Sequence, residues 1–150
     1  MSHLPYPYEQ TQTKQFVFLS VGIKRIEKMV EFTPIGKNNI VNLGFGDKRS
    51  DGTIDDKVNS NNGDIVKVLA TVIEILRNYT SRFPTTVVHF EGSSEERNRL
   101  YCRIIRTYYS QFSKEFTVLA VAIRANKRKI VPFDPTINEE YSAFLIKRIV

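Results

Sequence analysis

The chain has no tryptophan, a single cysteine and only two histidines in 150 residues. Cys102 on its own excludes an intrachain disulfide and any zinc site built from several cysteines of one chain. His3 lies near the start and His89 in an apolar segment, so no histidine cluster and no histidine-centred triad can be drawn. No apolar run approaches the roughly 20 residues that a membrane-spanning helix needs. Met1 to Gln15 lacks a basic stretch followed by an apolar one, the mark of a secretory signal. With Pro5, Pro7 and many polar residues, 1–15 reads as a flexible N-terminal lead-in to a single domain over 16–150. The expected location is the cytoplasm, with no membrane partner, no cofactor and no metal.

What is present is positive charge, unevenly placed. Residues 1–64 carry eight Lys/Arg and eight Asp/Glu, whereas 65–150 carry fourteen against eight, so the whole +6 excess lies in the second part. A one-sided basic surface attracts polyanions and speeds encounter before any specific contact forms. At 41% hydrophobic and 25% charged, the composition is that of an ordinary globular protein able to build a core without staples.

The pattern along the chain predicts the order βββ-α-β-α-βββ. Phe16 to Val21, the segment from Ile26 to Phe32, and Asn39 to Phe45 read as strands, on their β-branched and aromatic content. Asp64 serves as N-cap for an apolar helix from Ile65 to Tyr79. After Pro84 come a strand, Thr85 to Phe90, and a second helix capped by Ser93 with Glu96 as its reciprocal partner. Its ridge, Leu100, Tyr101, Ile104, Ile105, Tyr108, Tyr109 and Phe112, runs unbroken at helical spacing. Strands Phe116 to Ile123, Lys129 to Phe133 and Tyr141 to Ile149 close the chain, with a turn around Asn126. The fold class expected is α+β, one mostly antiparallel sheet covered by two helices.

Two groups of residues carry candidate chemistry. Arg99, Arg103 and Arg106 fall on one face of the second helix, and Lys127, Arg128 and Lys129 crowd a turn. Guanidinium forks match phosphate oxygens, so these six are the candidate anion or nucleic-acid site; the bland alternative is a solvated helix face, with Glu95 and Glu96 pairing to Arg99. A second, ligand-binding candidate gathers Asn61, Asn62, Gly63, Asp64, Arg97, Arg99 and Tyr101 where two helix starts meet a sheet. The alternative is that these residues cap and brace one another. The polar stretch Asp47 to Gly63 has the acids of a cation loop, but Arg49 and Val58 stand where an EF-hand needs oxygen ligands. No catalytic residue is assigned.

Ser20-x-Gly22, Asn42-Leu43-x-Phe45-Gly46-Asp47, Asn61-Asn62-Gly63-Asp64, Gly92-Ser93, Arg99-Leu100-Tyr101 and Ala143-Phe144-Leu145-Ile146-Lys147-Arg148 resemble a family of small bacterial proteins, mostly from Bacteroidetes, known as a domain of unknown function. That resemblance implies no activity. The element order also resembles the core of GNAT-type acetyltransferases, in which a Leu-Tyr pair like Leu100-Tyr101 supplies a general acid. The family's pyrophosphate loop departs here to a single Gly63 followed by Asp64. The function expected is therefore a non-catalytic cytoplasmic protein binding nucleic acid or an acidic protein, with a small acyltransferase-like enzyme or an inactive relative as the alternative.

Overall fold

A computed structural model describes residues 4–56 and 62–149. In them the chain forms nine strands and three helices, and the strands pair mostly antiparallel, an α+β fold. Two compact units divide it, Met1–Pro34 with Asn42–Phe83, and Ile35–Val41 with Pro84–Val150. Among the described residues no helix is long and apolar enough to cross a membrane.

The first unit holds β1 (Tyr8–Gln12), β2 (Gln15–Val21), most of β3 (Arg25–Ile35) and β4 (Ile40–Lys48), the short β5 (Ile54–Asp55) and helix α1 (Ile65–Arg82). Neighbours run β1-β2-β3-β4, with β5 on β4. The pairs Phe16↔Val30, Phe18↔Lys28 and Ser20↔Ile26 set alternate residues of β2 and β3 on one face. Helix α1 covers that face: Tyr79 stacks on Phe32 with ring centroids 3.9 Å apart, and the Thr71 hydroxyl accepts the Tyr6 N–H at 2.8 Å. Phe16, Val30, Phe32 and Ile75 are fully buried, each worth roughly 1.5–3 kcal/mol against exposure. Lys28 is buried on the same face, where its ammonium meets the Asp47 carboxylate.

The second unit holds β6 (Val87–Phe90), α2 (Glu95–Thr107), α3 (Tyr109–Glu115), β7 (Phe116–Arg124), β8 (Lys127–Pro132) and β9 (Tyr141–Arg148), with strand order β6-β9-β7-β8. Phe90↔Phe144↔Ala120 and Val88↔Ile146↔Val118 form two rows across it. The helices cover these rows, Tyr101 meeting Phe90 edge-on and Phe112 packing on Phe116. Between Val121 and Ala122 the register shifts by one residue of β9, so Ala122 pairs with Tyr141 instead of Ser142. Ala120 and Ala122 share a face, so the bulge turns Tyr141 toward the helices. Ala125 and Asn126, with φ of 53° and 60°, make the tight β7–β8 turn.

The expected order βββ-α-β-α-βββ is thus corrected to five strands, a helix, a strand, two helices and three strands. Within 1–15, expected as a flexible lead-in, Tyr8–Gln12 pairs with β2 and Tyr6 is buried, while residues 1–3 lie outside the described residues. The second helix breaks at Tyr108, whose φ of −106° and ψ of 17° leave the helical range. Its N-cap is Ser94, not Ser93: the Ser94 hydroxyl accepts the Arg97 N–H at 3.2 Å.

Candidate anion-binding cleft

Helix α2 starts on a capped, acidic first turn, and the residues at steps of three and four along one side form a stripe: Glu95, Asn98, Arg99, Cys102, Arg103 and Arg106. This stripe is one wall of a cleft of about 490 Å³ within the second unit. The facing wall is Asn138 to Ser142, with Ile123 at one side. Asn98 joins the walls, since its Oδ1 accepts the Gly92 N–H at 2.6 Å and its Nδ2 donates to the Ser142 carbonyl at 3.2 Å.

Charge in the cleft is graded. Glu139 is committed to Arg124 through two hydrogen bonds of 3.1 and 2.7 Å, which hold its carboxyl below its ordinary range. Glu140 lies 3.7 Å from Arg99, both well exposed. Arg103 and Arg106 have no carboxylate partner among the described residues; Arg106 gives one Nη2 hydrogen bond, 3.1 Å, to the Ile137 carbonyl. Glu95 is too far to offset them, eight residues before Arg103 and so about 12 Å along the helix. The cleft is therefore positive at the C-terminal end of α2.

The residues of the cleft include two buried donors without acceptors, Arg106 Nε and the Tyr141 hydroxyl, whose oxygen meets the Asp134 backbone N–H. A buried donor left unmade costs about 1–3 kcal/mol, so two among the residues of one cleft are unusual in a settled core. Burial raises the Tyr141 phenol above its ordinary pKa. It raises the Cys102 thiol too, against the pull of Arg106, so Cys102 stays a protonated packing residue at neutral pH.

The six residues of the anion group are placed as follows. Arg99, Arg103 and Arg106 share the cleft wall. Lys127 pairs with Arg124, Arg128 with Ile123, and Lys129 with Ala122. Lys127 and Lys129 thus fall on one face of the hairpin and Arg128 on the other, so the turn is not one cluster.

The seven-residue ligand group is divided between the units, with Asn62, Gly63 and Asp64 in the first and Arg97, Arg99 and Tyr101 in the second; Asn61 lies outside the described residues. Asp64 makes no side-chain cap to α1. Its Oδ2 instead accepts from Tyr6 Oη at 2.6 Å and Ser20 Oγ at 2.5 Å. Asn62 is buried and acts like a strand residue toward Lys24, accepting its N–H at 2.6 Å and donating to its carbonyl at 2.8 Å. A Cβ on Gly22 would stand 1.8 Å from the Asn62 carbonyl oxygen, which requires glycine there. These residues brace the entry to α1. Tyr101 is half-buried against Phe90.

In the acidic stretch, the Asp51 carboxylate accepts from Thr53 N at 3.0 Å and Oγ1 at 2.6 Å, a local turn. No group of three or more metal-binding side chains gathers among the described residues, and Val58 and His3 lie outside them. Tyr141 and Asn98 were not among the candidates. Nothing in the sequence marks the bulge that turns Tyr141 inward, whereas Asn98 sits one step from Arg99 on the stripe and was within reach of a helical projection.

No curated protein and no solved structure matches the chain significantly. A family model described as "Family of unknown function (DUF6934)" matches residues 2–149, nearly all of it. The chain belongs to the DUF6934 family.

Proposed function

We propose that this protein is a non-catalytic binding domain of the cytoplasm whose second unit takes an anionic partner, nucleic acid or acidic protein, along the arginine face of α2. One observation carries the reading: Arg103 and Arg106 line a cleft and form no ion pair with a carboxylate among the described residues. Lys127 and Lys129, on one face of the β7–β8 hairpin, extend the positive field.

The test is retention of the full chain on immobilised heparin as salt rises. Affinity falls with salt, and Arg103→Ala with Arg106→Ala flattens the slope by about two contacts. Retention indifferent to both salt and these substitutions refutes the reading. A rise in melting temperature with acetyl-CoA, and with no simple anion, would favour the acyltransferase alternative, which rests on element order alone.

A further inference from the structure

We propose that the α2–β9 cleft seats one compact oxyanion, the carboxylate or phosphate monoester of a small organic ligand, rather than a run of backbone phosphates. This rests on the anionic-partner reading and names the group that partner presents. The donors come from the two elements that line the cleft. Arg103 and Arg106 project from α2, and Tyr141 is turned inward by the β9 bulge. Tyr141 is only 4% exposed, and its hydroxyl and Arg106 Nε both lack an acceptor.

An oxyanion answers this arrangement, because each of its oxygens accepts more than one hydrogen bond and a guanidinium fork meets two oxygens at once. The carboxylates of the cleft oppose a longer polyanion. Glu95 and Glu140 line its walls, and a phosphodiester strand passing through would lie against both. A volume near 490 Å³ is in the range of small-molecule sites. The ligand is therefore short, with its charge held at Arg103 and Arg106 and its remaining body toward Asn98 and Ser142.

The experiment titrates the full chain, labelled with nitrogen-15, with phenyl phosphate, phenylacetate and the neutral control benzamide, reading amide shifts. One or both anions give saturable shifts confined to the residues of α2 and of 138–142, and the anion that binds identifies the oxyanion. Tyr141→Phe keeps the protein folded with a melting temperature near that of the parent, yet weakens binding about tenfold. Arg103→Ala, at an exposed position, weakens it about tenfold or more while the protein stays folded. No saturable shift at millimolar probe overturns the proposal. So do shifts shared by benzamide, shifts confined to Lys127–Lys129, or undiminished binding by both variants. Heparin retention that still depends on Arg103 and Arg106 then leaves the broader anionic reading standing.

Discussion

Gly22 is the residue whose replacement the structure tolerates least. Ile23 donates its N–H to the Asn62 carbonyl at 3.0 Å, so that oxygen cannot retreat from an added Cβ. Gly22→Ala is expected to lose about 3 kcal/mol of stability, measured by chemical denaturation. Ser20 is fully buried, donates to Asp64 and accepts from Asn62 Nδ2 at 2.9 Å. Ser20→Ala leaves both partners with a further bond each, so its cost is lower, about 1–2 kcal/mol. The sequence offered Ser20, Gly22, Asn62 and Asp64 as separate landmarks. Their union across more than forty residues is a tertiary fact that local pattern does not contain.

At the scale of elements, α2 depends on the cap that the sequence placed one residue early. Ser94→Ala is expected to cost about 1 kcal/mol, read from the melting temperature. Strands β2, β3, β6, β7 and β9 were legible because their β-branched and aromatic residues fill a buried face. Strand β1 was not, since all but Tyr8 of it is exposed and polar residues carry no burial signal. The break between α2 and α3 was hidden for the opposite reason. The apolar ridge continues through Tyr108 to Phe112, with no Gly or Pro to mark the stop, and both helices need that ridge for the same core. Of the cleft, the arginine spacing was legible and the facing wall was not: Asn138 to Ser142 reaches α2 only through the return of β9.

For the molecule as a whole, three tyrosines tie folding to alkaline pH. Burial raises the phenols of Tyr6, Tyr79 and Tyr141, and the hydrogen bond to Asp64 adds to it at Tyr6. A raised folded-state pKa means that the neutral phenol is favoured in the fold. The stability this supplies is fully present below the ordinary tyrosine pKa, near 10, and is lost as pH rises through the raised values. The melting temperature should therefore fall above about pH 10, and the phenolate absorbance of these three tyrosines should appear together with unfolding. A melting temperature that stays level from about pH 9 through the full rise of phenolate absorbance would contradict this. The alternation of the β7–β8 hairpin has a kinetic consequence. Charged heads on opposite faces of a strand pair lie on the order of 10 Å apart, close to the Debye length at 0.1–0.15 M salt. In dilute buffer a diffusing anion meets Lys127, Arg128 and Lys129 as one centre of attraction; at physiological ionic strength each face acts alone. Lys129→Glu should then slow the capture of a heparin fragment more than Arg128→Glu does, and the two association rates should converge as salt is removed.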